Sequence, residues 1–467
     1  MMEKELKLFL EKARALGSVP GLANMRNLME ELGNIQEKLA VIHVAGTNGK
    51  GSVCAMLEQI LRMSGCRVGR YSSPAVFCEE ERYQINGTYI NKEAYRTILS
   101  EIAAACGRLT GRGLPHPTLF EIETALAFLW FYREDCQVVI LETGMGGALD
   151  ATNIIKKPLL SVITSISMDH MAFLGNTLSE IAAQKAGIIK EGCPVVAARQ
   201  EPEVYEVLRS VCQEKHADLG LADGGMGNEA MEPWCTDGEA ALMTEDAGGI
   251  RNLRYEDGYL VFDWEEFPNL KLSLLGAYQP ENAVCAIQAI HRLNGSGFSI
   301  GDDTIRAALR NTVWPGRFEV ISRSPLVVID GAHNEDAAKK LLETLKLGFT
   351  NRKIIYIIGV FKDKEHEKML SVMLPMAEKV YTVTPPGPRG LPGEILCAEA
   401  GKYHGNVQCA VSVREALEAA VQDAGQMTEE GQLHKPMILA FGSLSYLVEL
   451  KGELARMIND REISVHE

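Results

Sequence analysis

A lysine and a hydroxyl set among glycines is a chemistry of anions. The chain carries that set at V-I-H-V-A-G-T-N-G-K-G-S, Val41 to Ser52. Gly46, Gly49 and Gly51 let backbone N–H groups face a phosphate, Lys50 adds a mobile charge, and Ser52 offers a hydroxyl to Mg2+. The run departs from the strict pattern G-x-x-x-x-G-K-[ST]. Val44 stands where the first glycine belongs, and Gly51 separates Lys50 from Ser52. A second run, L-E-T-G-M-G-G-A-L-D-A-T-N from Leu141 to Asn153, opens with Glu142 at the carboxyl end of an apolar segment. A carboxylate there suits Mg2+, because open parallel sheets gather ligands at that end. The glycines of this run do not make a dinucleotide fingerprint, since Leu149 occupies the third glycine position of G-x-G-x-x-G.

Further groups recur just past apolar segments. His170 closes S-I-S-M-D-H and is a candidate metal ligand through one ring nitrogen; the plainer reading is a hydrogen-bonded loop histidine. Lys185 and Lys190 lie in Q-K-A-G-I-I-K near a helix end, where most lysines are solvated charges. Arg317 sits in the turn W-P-G-R-F-E, Asp330 and His333 in D-G-A-H-N, and Ser443 in G-S-L-S-Y. Their shared position at strand ends points to one active edge.

The elements that must position these groups follow from the apolar pattern. Val41–Val44, Val138–Glu142, Leu159–Ile163, Val195–Ala198, Leu326–Ile329, Ile354–Ile358, Lys379–Val383 and Met437–Phe441 read as buried strands, with helices such as Ile122–Tyr132 and Ala337–Lys346 between them. That alternation predicts an α/β fold with mostly parallel sheets. The turn-rich N-G-S-G-F-S-I-G near 294–301 reads as a linker, dividing the chain into domains 1–296 and 297–467. Residues 215–258, rich in glycine and acidic residues, read as an exposed mobile insertion running into hairpin strands over Asn252–Asp263 and Leu270–Leu274. A net charge of −15 argues against a general nucleic-acid binder. Eleven cysteines with no C-x-x-C pair exclude a zinc-site spacing and fit a reducing cytoplasm. The first residues lack a signal-peptide core, and no apolar run reaches the roughly 20 residues of a membrane span.

Six motifs now stand in one order along the chain: G-T-N-G-K-G-S, E-T-G-M-G-G-x-L-D-A-T-N, D-H-M-x-F-L-G-N-T, Q-K-A-G-I-I-K, W-P-G-R-F-E and D-G-A-H-N. The chain resembles the folylpolyglutamate synthases and bifunctional dihydrofolate synthases of the Mur-ligase superfamily. The resemblance implies an N-terminal P-loop ATPase domain, a smaller Rossmann-like C-terminal domain, and an active site between them. It implies ATP-dependent addition of L-glutamate to tetrahydrofolates through an acyl phosphate, with dihydropteroate as a further acceptor. Thr47, Asn48, Gly49, Lys50, Gly51 and Ser52 would cradle the triphosphate, and Asn282, Arg317 and Asp330 would contact nucleotide. Ser52 and Glu142 would hold one Mg2+, Ser73, Glu142 and His170 a second, and a monovalent cation such as K+ would join them. Lys185 matches a lysine that the family carbamylates, while His333 and Ser443 would face glutamate. Pro74, Arg82, Phe120 and Asp150 would line the folate side, in loops that include E-E-R-Y-Q-I-N-G and T-L-F-E.

Two residues depart from the family pattern. Ala75 replaces the histidine of a loop usually written S-P-H, and Ala148 replaces a common basic residue; both bear on folate preference. The family also implies a cytoplasmic monomer acting on small molecules, with neither nucleic acid nor membrane as partner. Two rival readings are a peptidoglycan-type amino-acid ligase and a catalytically silent nucleotide-binding protein. The second predicts loss of Lys50, Glu142, His170 or Asp330, and all four are present.

Overall fold

The computed structural model describes residues 3–222, 249–265, 267–364, 366–429 and 435–464. The chain forms two compact units. One comprises Met1–Asn252, Phe262–Lys271 and Pro280–Thr312, and the other Leu253–Val261, Leu272–Gln279 and Val313–Glu467. The turn at 294–301, expected to be a linker, lies inside the first unit. A reciprocal pair closes it: Asn294 Nδ2 donates to Ile300 O (2.9 Å), and Ile300 N donates to Asn294 Oδ1 (3.0 Å). The helix that follows, Asp302–Arg310, packs on the helix Lys50–Met63 of the same unit.

The first unit is built on β1 (Val41–Ala45), β2 (Val68–Tyr71), β3 (Tyr83–Ile85), β4 (Thr88–Tyr89), β5 (Val138–Glu142), β6 (Leu160–Ile163), β7 (Val195–Ala197) and β8 (Leu219–Leu221). They form one sheet in the order β4-β3-β2-β5-β1-β6-β7-β8, parallel except for β3 and β4. β1, β2, β5, β6 and β7 are buried along their whole length, and all but β2 are mostly apolar, as central strands of a parallel sheet covered on both faces are. β1 lies between β5 and β6, with Val44 opposite Glu142 and Ala45 opposite Ile163. Three strand ends therefore meet at one edge, where Gly46, Thr143 and Thr164 follow.

β2 escaped the apolar pattern because Gly69 and Arg70 interrupt it. Both have tertiary reasons. A Cβ on Gly69 would come within 2.6 Å of Phe131, and Arg70 forms a buried ion pair with Glu58 at 2.6 Å. The expected insertion at 215–258 is ordered at both margins, since β8 forms the sheet edge and β9 (Ile250–Glu256) begins a three-stranded sheet with β10 (Tyr259–Trp264) and β11 (Phe267–Leu272). Residues 223–248 of that expectation lie outside the described residues.

The second unit holds β12 (Glu319–Arg323), β13 (Leu326–Ile329), β14 (Arg352–Ile358), β15 (Ala377–Thr382), β16 (Val407–Cys409) and β17 (Lys435–Phe441), ordered β12-β13-β17-β14-β15-β16. Only the edge strand β12 is antiparallel. Tyr356 and Phe441 meet edge-to-face in its core at 5.2 Å, and Tyr446 donates to Phe441 O (2.7 Å). Among the described residues, no helix is long and apolar enough to cross a membrane.

Candidate active site

The phosphate loop leaves β1 at Gly46 and turns into the helix Lys50–Met63 at Gly49, whose φ of +86° an L side chain rarely adopts. Neighbours hold both glycines tightly. A Cβ on Gly46 would lie 1.8 Å from Thr164 Oγ1, and one on Gly49 would lie 2.3 Å from Asn282 Oδ1. Asn282 thus stands against the loop where a nucleotide contact was expected. The loop is also stitched to the segment after β6. Thr47 N donates to Ser165 O (2.8 Å), Thr47 Oγ1 to Ser167 O (3.0 Å), and Thr164 Oγ1 to Asn48 O (2.7 Å). The sequence reading singled out only His170 in that segment; its small hydroxyl residues brace the loop.

Two lysines converge on one carbonyl. Lys50 Nζ donates to Gly46 O and Thr47 O, both at 3.1 Å, and Lys185 Nζ donates to Gly46 O at 2.7 Å. Lys185 is only 3% exposed, so the solvated reading usual for a helix-end lysine does not hold. Burial, reinforced by the Lys50 charge, lowers its pKa to about 7. Near neutral pH a large fraction is the free amine, which is nucleophilic.

Glu142 ends β5 and is 5% exposed, and Ser52 lies in the first helical turn at 2% exposure. The Glu142 charge reaches Cys54, whose thiol is pushed up by burial first and then by that charge. Ser73 Oγ is buried and has no hydrogen-bond partner among the described residues. Ser52, Ser73 and Glu142 are the hard oxygen donors Mg2+ prefers, and Mg2+ keeps several waters or phosphate oxygens besides. His170 differs: its side chain is 42% exposed, it adopts φ +50°, and Asp169 is its neighbour at 3.8 Å. Among the described residues, no three His, Cys, Asp or Glu side chains gather as a metal cluster.

Among the residues expected on the folate side, Arg82 pairs with Glu79 (3.1 Å) and Glu123 (3.5 Å). Burial pushes Glu123 up to about 7, against the pull of Arg82. Phe120 packs on Gly144, where a Cβ would lie 2.5 Å from its ring, and Tyr71 lies 6.3 Å from Phe120. Pro74 follows Ser73 in the loop after β2. Asp150, expected at the folate, is turned inward instead. It is 7% exposed, and its oxygens accept from Met145 N (2.9 Å), Thr152 N (3.0 Å) and Thr152 Oγ1 (2.5 Å). Hydrogen bonds to its own turn occupy that carboxylate.

In the second unit Asp330 plays a similar part. Its carboxylate, 3% exposed, accepts from Phe318 N (2.8 Å), Ala332 N (2.8 Å) and Tyr278 OH (3.1 Å). It fixes the turn that carries Arg317, whose guanidinium lies against Gly331; a Cβ there would come within 2.2 Å of it. His333 Nδ1 donates to Gly331 O (2.8 Å), and Ser443 Oγ lies 2.9 Å from Ser445 Oγ.

Comparison with known proteins follows the same division. Residues 44–290 match the Mur ligase middle domain, and residues 316–444 match the Mur ligase glutamate ligase domain. A dihydrofolate synthase/folylpolyglutamate synthase of Bacillus subtilis is 37% identical over 369 residues, 78% of this chain and 81% of that protein. The folylpolyglutamate synthase of Lacticaseibacillus casei is 34% identical over 427 residues, covering 89% and 93%. Among solved structures, Mycobacterium tuberculosis folylpolyglutamate synthase complexed with ADP and AMPPCP superposes with a TM-score of 0.83 at 28% identity, covering 97% of both chains. Escherichia coli FolC in complex with DHPP and ADP gives 0.77 at 30% identity, covering 98% of both.

Proposed function

Because the chain belongs to the folylpolyglutamate synthase/dihydrofolate synthase family of Mur ligases, and is an ATP-dependent ligase joining L-glutamate to folates, we propose how its residues divide that work. The observation that carries the proposal is the convergence of Lys50 and Lys185 on Gly46 O beside the buried end of β5. A carboxylate is a poor electrophile. One of its oxygens therefore attacks the γ-phosphorus of ATP, ADP leaves, and an acyl phosphate results. The glutamate amine then attacks the acyl carbon, loses a proton and expels phosphate.

Thr47, Asn48, Gly49, Lys50, Gly51 and Ser52 cradle the triphosphate, with Lys50 swinging from Gly46 O onto the transferring group. Asn282 and Arg317 contact the nucleotide, and Asp330 acts by holding the Arg317 turn. Ser52 and Glu142 would hold one Mg2+, and Ser73, Glu142 and the exposed His170 a second; a monovalent cation such as K+ would be a further occupant. Bound there, Mg2+ would neutralise charge developing on the phosphoryl oxygens. Lys185 is the carbamylated lysine, since a buried amine with a pKa of about 7 can attack CO2 at neutral pH, release one N–H proton to solvent and become an anionic carbamate. Pro74, Arg82 and Phe120 line the folate side, and His333 and Ser443 face glutamate. Dihydropteroate serves as a second acceptor, and the protein works as a cytoplasmic monomer.

The experiment is ATP-dependent phosphate release with tetrahydrofolate and glutamate. Lys50→Ala and Glu142→Ala are each expected to lower kcat by about a hundredfold or more while the circular dichroism of the folded protein stays unchanged. Retained turnover in either variant would remove that residue from the machinery.

A further inference from the structure

The strand beneath the phosphate loop carries a histidine that the ligation chemistry does not use. His43 sits in the middle of β1 with no exposed surface. An apolar side chain would fill that place without burying a polar group. What the imidazole does is visible in its contacts. Its Nε2 lies 2.9 Å from Thr152 Oγ1, and Thr152 Oγ1 donates to Asp150 Oδ1 at 2.5 Å. A hydroxyl has one proton, and Asp150 receives it, so His43 donates Nε2–H to the Thr152 oxygen. His43 Nδ1 is then the bare nitrogen, and it has no hydrogen-bond partner among the described residues. Burial holds the imidazole pKa down at about 3, so it stays neutral.

The relay continues past Asp150. The second carboxylate oxygen accepts from Met145 N, which lies in the glycine turn directly after Glu142. From that turn Ala148 N donates to Gln184 O (2.7 Å), and Asn153 Nδ2 donates to Ala148 O and Gly187 O (3.1 Å each). Gln184 and Gly187 flank Lys185 closely in sequence. We propose that His43 and Thr152 are positioning residues: through Asp150 they hold the turn that presents Glu142 and seats the Lys185 helix. The strand that delivers the phosphate loop thereby also sets where the carboxylate and the second lysine stand. This rests on the roles given above to Glu142 and Lys185.

The test compares Thr152→Val, which keeps the shape and loses the hydroxyl, with Thr152→Ser, which keeps the hydroxyl. Wild-type enzyme in the same assay separates failure of the ligase reading from failure of this one. Thr152→Val is expected to lower kcat for phosphate release by about tenfold to a hundredfold, with KM for ATP within about threefold, and Thr152→Ser to restore most of kcat. A folded Thr152→Val enzyme with wild-type kcat, or a Thr152→Ser enzyme as impaired as Thr152→Val, overturns the proposal. A measurement on wild-type protein stands independently of whether the variants fold. Its 15N-histidine NMR spectrum should contain one neutral Nε2–H imidazole that does not titrate between pH ~5 and ~8, absent in His43→Gln. An Nδ1–H tautomer or an imidazolium at His43 also overturns the proposal.

Discussion

Lys185 shows how environment rather than residue type gives a side chain its chemistry. On a helix end it reads as one more solvated lysine, yet it is 3% exposed and its Nζ donates to Gly46 O at 2.7 Å. Burial and the neighbouring Lys50 charge bring its pKa down to about 7. The consequence for stability has a definite sign. Between the folded pKa of about 7 and the ordinary value of 10.5, the unfolded chain binds a proton at this lysine and the folded chain does not. Its contribution is therefore most unfavourable below pH 7 and is relieved as pH rises toward 10.5. Compared with Lys185→Met in CO2-free buffer, wild-type protein should gain stability from pH ~6 to pH ~9, by an amount on the order of 2–3 kcal/mol in urea unfolding. A pH-independent difference between the two proteins would mean the lysine keeps its ordinary pKa. Asp330 and Asp150 make the complementary point, since both were read as ligand contacts and both carboxylates are engaged by backbone N–H groups, those of its own turn at Asp150 and those of Phe318 and Ala332 at Asp330.

Among the elements, the glycine turn Gly144–Gly147 has little freedom. Gly144 lies under the Phe120 ring, and Gly147 faces the backbone of the Lys185 helix, where a Cβ would meet Gln184 O at 2.7 Å and Lys185 O at 2.8 Å. Carbonyl oxygens of a helix end cannot swing aside as a flexible side chain can. Gly147→Ala should therefore push the helix end away, destabilising the protein by about 2 kcal/mol or more and lowering kcat for phosphate release at least tenfold. Thermal unfolding and the kinetic assay check this together; a variant with unchanged melting and unchanged kcat would show that the turn has room. The sequence made this run look like a failed dinucleotide fingerprint, with Leu149 in the wrong place. Its glycines instead serve close packing against Phe120 and the Lys185 helix. The strand pattern was read well where apolar residues run nearly unbroken, as in β1, β5 and β6. It was missed at β2, where Phe131 requires a glycine and Glu58 requires an arginine.

At the scale of the whole molecule, the residues proposed above for ligation fall in both units. The first holds the phosphate loop, Ser73, Asn282, Glu142, His170 and Lys185, and the second holds Arg317, Asp330, His333 and Ser443. The division follows packing rather than composition. The turn-rich stretch at 294–301 is closed on itself by Asn294 and Ile300, and the chain passes to the second unit only after Thr312. Substrate range is also a property at this scale. With Ala75 and Ala148 in place of bulkier polar residues, the folate side should tolerate more than one acceptor. Phosphate release with glutamate is expected with dihydropteroate, tetrahydrofolate and 5,10-methylenetetrahydrofolate alike, measured side by side. No release with dihydropteroate would restrict the enzyme to extending existing folates.

The sequence alone determined the class of chemistry and the order of its parts. Local patterns suffice for that: a buried strand announces itself by continuous apolar residues, and a phosphate loop by glycines beside a lysine. Six motifs in a fixed order then identify the family without reference to shape. Tertiary structure decided which of the named groups are buried and which carboxylates are already engaged by backbone N–H groups. Exposure and pKa depend on neighbours brought in from far along the chain: Gly46 meets Lys185, His43 meets Thr152, and Gly49 meets Asn282. No spacing within a motif encodes those meetings, because they are fixed by strand register and by which helix lies on which face of the sheet.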